Sequence, residues 1–480
     1  MVFSSLIFLF GFLTVTLGLY YAVPRRLKNL VLFVMSLIFY GWAEPFFIII
    51  MLVSVASAFF LGFPIAKHRQ TDVKKARGFL VLSLALNLIW LLFFKYCNFF
   101  IENLSAIPFL SQLTTIKEYT LPFVSEIPFQ FMLPLGISFY TFQIMSYSID
   151  LYRGQTEVQR SFVSFGAYVT LFPQLVAGPI VRYRDVDDML MERQETIADF
   201  AAGARRFCAG MCKKVLLADV ADSFVNYFNG TLSAESTAVG GWMVVIFYTF
   251  RIYFDFSAYS DMAIGLGRMF GFKFLENFDY PYISKNITEF WRRWHISLSS
   301  WFREYVYIPL GGNRKGKLKQ YRNLGVVWLL TGFWHGASWN FILWGVYFLI
   351  ILVVEKAFLL KALEKLPTVI SRIYALFLIA IGWLIFYYTD TAAGFNCLKA
   401  MFGSGSFSSP TVSYTALQAI PTLIIFAVAA TPYPKKLWDK YLLSSEGGRI
   451  VGAIAPVLGL FVSVSYMVAS SYSPFLYWNF

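Results

Sequence analysis

The chain has 480 residues, 58% hydrophobic, 20% aromatic and only 14% charged, more apolar surface than the core of a water-soluble protein can hide. Its formal net charge of +13 does not point to nucleic acid, because the Lys and Arg residues sit in short clusters between apolar runs, the arrangement that orients membrane proteins. Cys97, Cys208, Cys212 and Cys397 make no pair of pairs at metal-ligand spacing.

In chain order, the first stretch, MVFSSLIFLFGFLTVTLGLYYAVPRR, lacks a basic leading region and carries its arginines after the apolar run. It reads as an uncleaved anchor whose start lies outside the cytoplasm. A span needs about 20 apolar residues to cross a core of about 30 Å, and cytoplasmic loops collect Lys and Arg. Spans are therefore predicted near residues 5–23, 29–43, 46–66, 78–94 and 131–149, with PRRLKN and KHRQTDVKKAR on the cytoplasmic side. Two apolar segments are predicted to be partial or re-entrant: 161–180, broken by FPQLVAGP, and 257–275, interrupted by Gly265, Gly267 and Gly271. Such backbone is tolerated at membrane depth only where it is buried in protein or lines a wet cavity. Further spans near 207–228, 238–256, 370–388, 417–432 and 450–468 keep Arg205, Arg206, Lys361, Lys365, Arg372, Lys435, Lys436 and Arg449 on the same side. Both termini then face outward. The segment 324–356 leaves the cytoplasm and returns, as a hairpin. The expected fold class is an all-α polytopic membrane protein with about ten transmembrane helices plus re-entrant and hairpin helices. No linker or clear repeat divides it, so residues 1–480 read as a single membrane domain with its core at 131–356 and an aromatic tail at 470–480.

TGFWHGASWN, residues 331–340, puts His335 at the turn of that hairpin. Helix from Leu324 to Trp334 rises about 16 Å, roughly half the hydrocarbon thickness, which sets His335 near the bilayer midplane between Gly332 and Gly336. One reading is a structural imidazole hydrogen-bonded between helices. The other is a general base, kept neutral by desolvation among Trp334, Trp339 and Trp344. The stretch EFWRRWHISLSSWFREYVYIPLGGNRKGKLKQYR, 289–322, holds eight basic residues between Trp291 and Arg322 against one acid, Glu304. It fits an amphipathic helix on anionic headgroups. The same features would also receive the phosphates and adenine of a coenzyme A thioester, with Arg292, Arg293, Arg303, Arg314 and Lys315 as contacts and PLGGNRKG as a turn with exposed amides. His295, Asp255 and Asp261 complete the candidate chemistry. Their spacing with His335 matches no metal-ligand pattern, so no metal is expected. The two aspartates either pair with arginines such as Arg251 or Arg268, or orient a histidine. No G-x-S-x-G elbow, P-loop or H-E-x-x-H occurs.

WRRWHISLSSWFREYVYIPLGG followed by TGFWHGASWNFILWG resembles the membrane-bound O-acyltransferase family, in its bacterial branch of alginate and peptidoglycan O-acetylation proteins. The likeness extends to MVFSSLIFLFGF, LPLGISFYTFQ, LFPQLVAGPIVR and FDFSAYSDMAIGLG. It implies a ring of helices around a thinned centre, where a cytoplasmic thioester entrance meets an extracytoplasmic funnel. It also implies that His335 is the catalytic histidine and His295 the second family position. The chain end, SPFLYWNF, resembles an aromatic motif in which a tyrosine, here Tyr477, is a transient acyl carrier; Trp478 and Asn479 depart from its commoner residues. The function so implied is a membrane O-acetyltransferase that moves acetyl from cytoplasmic acetyl-CoA across the cytoplasmic membrane to an extracytoplasmic polysaccharide, alginate, peptidoglycan or another exopolysaccharide. The chain shows no large extracytoplasmic domain to hold a polymer, so an SGNH-type extracytoplasmic transferase is the expected partner, with membrane lipids as surroundings. The rival class is a transporter or flippase with Asp255, Asp261 and His335 lining a path; no inverted repeat is evident.

Overall fold

The structure is a computed structural model that describes residues 1–107, 109–110, 133–442 and 444–469. Tyr477 lies outside the described residues. Among those described there is no strand, only an isolated bridge between Thr237 and Ser406, and the chain is an all-α, multi-pass membrane protein. Seven helices among them are long and apolar enough to cross a membrane: Ile48–His68, Val73–Ser105, Ala238–Met269, Trp339–Leu363, Thr368–Tyr387, Pro410–Ala429 and Glu446–Ala469. Shorter apolar helices add to these.

Contacts divide the chain into two compact units. The first is built from Ile7–Gln194 with Met1 and Gly336–Ser338. It holds α1 (Thr14–Ala22), α2 (Arg25–Gly41), α3 (Ile48–His68), α4 (Val73–Ser105), α5 (Ile137–Arg153) and α6 (Phe162–Thr170). The sequence dictates the ends: the Asp72 side chain accepts from the Lys75 amide at the start of α4, and Gly154, at φ 72°, terminates α5. The segment 161–180 is broken, as its prolines demand. α6 stops at Thr170, and a single turn, Phe172–Leu175, follows. Side chains satisfy the interrupted backbone: Tyr168 Oη donates to the Val181 carbonyl and Gln174 Nε2 to the Tyr168 carbonyl, both residues buried.

The second unit comprises Val2–Leu6, Glu195–His335 and the chain from Trp339 onward. α7 (Ile197–Cys212) runs through Lys213–Ala218 into α8 (Asp219–Ala234). α9 is Ala238–Met269, 32 residues without a break. This corrects the prediction that 257–275 is re-entrant. A Cβ on Gly265 would stand 2.7 Å from the Gly203 carbonyl oxygen, so the glycine lets α7 and α9 touch rather than breaking the helix. Next come the short α10 (Ile287–Arg293) and α11 (Ile296–Phe302), then α12 (Lys317–His335) and α13 (Trp339–Val354). The last two form the hairpin read from the sequence. A Cβ on Gly332 would lie 2.5 Å from the Phe341 carbonyl oxygen and one on Gly345 2.6 Å from that of Trp328, so the two backbones meet there and fix where α12 can end. α14 (Thr368–Tyr387), α15 (Thr391–Met401), α16 (Pro410–Ala429) and α17 (Glu446–Ala469) complete the unit.

Candidate active site

The two histidines reach one cavity by different means. His335 is the last residue of α12 and 4% exposed. Its ring meets Trp334, Trp344 and Phe386 edge-on, at centroid distances of 5.0, 4.9 and 5.2 Å. The Trp344 and Trp383 rings stack behind it at 6.2 Å. His295 lies in the connection between α10 and α11, 1% exposed, and holds a left-handed backbone at φ 46°, a conformation that non-glycine residues rarely keep without support. Asn277 supplies that support. Its backbone carbonyl accepts from the Ile296 amide, and its Oδ1 accepts from the Ser297 amide at 3.1 Å and the Ser297 hydroxyl at 2.9 Å.

These bonds decide the histidine tautomer. Oδ1 faces an N–H that can only donate, so the His295 Nδ1, 3.1 Å from the same oxygen, must also carry its proton toward it. Nε2 is then the ring's acceptor, buried and with no hydrogen bond among the described residues. Burial pushes the His295 imidazole down to about 3, so it stays neutral through the physiological range.

Both histidines line a cavity of about 220 Å³ together with Trp291, Trp294, Leu298 and Thr331. Arg292, Ser299, Val327 and Lys356 are shared between its wall and that of a second cavity of about 1000 Å³. Arg303, Arg314 and Lys315 line the larger one, which has no acidic residue in its lining. Four of the five cations singled out in the sequence are thus brought together. Arg293 is not among them: its guanidinium pairs with Asp279 at 2.7 Å and Glu289 at 3.0 Å. In the turn at PLGGNRKG, part of the backbone is already engaged. The amides of Gly311, Gly312 and Arg314 donate to the carbonyls of Ile308, Tyr307 and Gly311, so cationic side chains rather than those amides face an incoming anion.

The aspartates are held in ion pairs, as one of the two readings expected, but not by the cations named for them. Asp255 pairs with Lys214 at 2.8 Å, and Asp261 is held by Arg206 at 2.9 Å and Lys213 at 2.5 Å. Arg251 and Arg268 instead pair with Asp222 and Asp199. The group on the His295 ring is Asn277. Sequence reasoning missed it, and also missed Glu355, a fully buried carboxylate that accepts from the amides of Ile287 and Thr288 and the hydroxyls of Thr288 and Tyr374.

A family model for the membrane-bound O-acyltransferases matches residues 151–397, a stretch that includes Asn277, His295, the basic cavity and His335. The chain belongs to that family. It is 38% identical to a probable alginate O-acetylase AlgI of Azotobacter vinelandii over 100% of both chains. It is 30% identical to a peptidoglycan O-acetyltransferase of Helicobacter pylori over 100% of this chain and 98% of that one. A teichoic acid D-alanyltransferase of Streptococcus thermophilus is 31% identical over 47% of this chain and 58% of its own. The protein is accordingly a membrane acyltransferase, and the transporter alternative falls away.

Proposed function

We propose that this acyltransferase takes acetyl from cytoplasmic acetyl-CoA and passes it to a hydroxyl on the far side of the membrane, for O-acetylation of an extracytoplasmic polysaccharide. One observation carries the proposal: a small cavity holding both histidines shares walls with a larger one lined by five cations and no acid. A polyanion such as the nucleotide end of coenzyme A suits the larger cavity, and its acyl end the smaller. His335 removes the acceptor's hydroxyl proton as the oxygen attacks the thioester carbonyl. The C–S bond then breaks, and the proton is returned to the leaving thiolate. General base catalysis of this kind supplies about 10²- to 10⁴-fold. His295, too weak a base to hold a proton near neutrality, contributes the Nε2 lone pair that orients the acceptor hydroxyl.

The relatives named for alginate and peptidoglycan O-acetylation favour a polysaccharide as final acceptor. In this scheme the first acceptor is the Tyr477 hydroxyl, and an SGNH-type extracytoplasmic transferase takes the acetyl onward from a protein seated in the cytoplasmic membrane. Purified protein given acetyl-labelled acetyl-CoA should release free CoA. His335→Ala and His335→Gln should each lower that rate by about 10²- to 10⁴-fold at unchanged protein level; near-normal turnover in either would refute the assignment.

A further inference from the structure

A second polar cavity in the same unit, about 700 Å³, shares no lining residue with the histidine cavity. Its walls come from α7, α9 and the chain between Glu276 and Tyr280, with Lys435 also contributing. Where the basic cavity has only cations, this one sets Arg206, Lys213, Arg268 and Lys435 against Asp261, Glu276 and Asp279. Asp261 is already held by Arg206 and Lys213. The other charged groups at the wall are two of each sign, Arg268 and Lys435 against Glu276 and Asp279, of which Arg268, Glu276 and Asp279 also have ion-pair partners. Their existing ion pairs run to Asp199, Arg206 and Arg293, and the Glu276 and Asp279 side chains are both more than half exposed.

The back wall carries two buried hydroxyls without a partner among the described residues. Ser257 and Ser260 are each 3% exposed, line the cavity, and carry hydroxyls with no hydrogen bond among the described residues. They stand three residues apart and so share one face of α9. Buried hydroxyls are nearly always satisfied, and in these two even the bond to the helix carbonyl one turn back is missing. Tyr253, Phe278 and Tyr280 bring aromatic rings to the same cavity, and Tyr280 holds a left-handed backbone at φ 44°, the strained kind of conformation that persists at ligand sites.

A simple anion entering this cavity meets carboxylates, and a simple cation meets guanidinium and ammonium groups. A ligand bearing both charges meets complementary groups at each end. We propose that the cavity binds a zwitterionic phosphoethanolamine-type group. The phosphate is received by Arg268, Lys435 and the Ser257 and Ser260 hydroxyls, and the ammonium by Glu276 and Asp279 beside the aromatic rings. The group can arrive as a lipid headgroup or as a free phosphodiester.

Native mass spectrometry of the purified protein, offered equal phosphatidylethanolamine and phosphatidylglycerol, should show the former retained by about tenfold. Glu276→Gln should erase the preference, and Ser257→Ala with Ser260→Ala should reduce retention of the zwitterion by a similar factor. Soluble glycerophosphoethanolamine that displaces the lipid in wild type but not in the double serine variant supports the same site with a free ligand as source; failure to displace, with the preference intact, assigns it to the lipid. Equal retention of both lipids, or a preference untouched by all three substitutions, overturns the proposal. So does a serine double variant that only gains thermal stability, because hydroxyls that serve no ligand are better removed.

Discussion

At the scale of single residues, Asn277 decides what His295 can do. Its Oδ1, taken up by the Ser297 amide and hydroxyl, forces the proton of the neutral imidazole onto Nδ1 and leaves Nε2 as an acceptor. Asn277→Asp keeps the shape but sets a negative charge 3.1 Å from Nδ1, which favours the imidazolium and raises the His295 pKa from about 3. The sign follows: a raised pKa means Nε2 gains a proton, and its lone pair is lost, as pH falls through the new value. The pH–rate profile of acetyl transfer in Asn277→Asp should therefore show an acid limb at higher pH than wild type, with activity recovered on the alkaline side. An unchanged profile would remove His295 from the reacting centre. His335 was legible in the sequence because a histidine amid apolar residues has few roles open to it. Asn277 was not, since nothing in LENFDY marks one asparagine as the partner of a ring 18 residues later. The charged pairs were legible only as needs: buried aspartates require cations, but which cation depends on helix packing. Lys214 rather than Arg251 reaches Asp255.

Among the elements, the short helix α10 carries the most consequence, because it bears Trp291 and Arg292 and leads directly into His295. Seven residues do not hold a helix by themselves. Two caps hold this one. The Asn286 side chain accepts from the Glu289 amide at 2.7 Å, and the Glu355 carboxylate reaches across from beyond α13 to accept from the amides of Ile287 and Thr288 at 2.7 and 2.8 Å. Glu355→Gln replaces one acceptor oxygen with a donor facing donors, at a cost of about 1–3 kcal/mol. It should lower the melting temperature and, by loosening Arg292 at the junction of the two cavities, raise KM for acetyl-CoA more than it lowers kcat. A variant that melts early yet keeps wild-type KM would make the cap purely structural. The elements also show why pattern reading succeeds in one place and fails in another. Residues 161–180 were legible as broken because Pro173 and Pro179 each remove a backbone donor wherever they sit. Residues 257–275 were not legible as continuous, because a glycine that breaks a helix and one that admits a neighbour look alike until the neighbour, here Gly203, is placed.

For the whole molecule, five cations and no acid line the basic cavity, and not every neighbouring cation is available to it. Arg303, Arg314 and Lys315 line the basic cavity, whereas Arg293 is committed to Asp279 and Glu289. Charge reversal at Arg314 should raise KM for acetyl-CoA and steepen its salt dependence, since phosphate attraction is screened over about 8 Å at physiological ionic strength. Arg293→Glu should instead lower stability at nearly unchanged salt dependence, and titrating KM against salt in the two variants separates the roles. The proposed relay assigns the far end of the reaction to Tyr477. α17 is described as far as Ala469, and residues 470–480, SSYSPFLYWNF, carry no charged side chain. A segment of that length extends at most about 36 to 40 Å, enough to bring a tyrosine hydroxyl from the membrane face toward its midplane. Such a hydroxyl becomes a competent acyl acceptor once a base removes its proton. On the proposed relay, Tyr477 takes acetyl at His335 and hands it to the extracytoplasmic partner. Tyr477→Phe, which retains the ring and loses only the hydroxyl, should then abolish polysaccharide acetylation while protein level stays constant. With the partner deleted, mass spectrometry of the C-terminal peptide should find acetyl on Tyr477 that vanishes in His335→Ala, and a fully active Tyr477→Phe would end the relay.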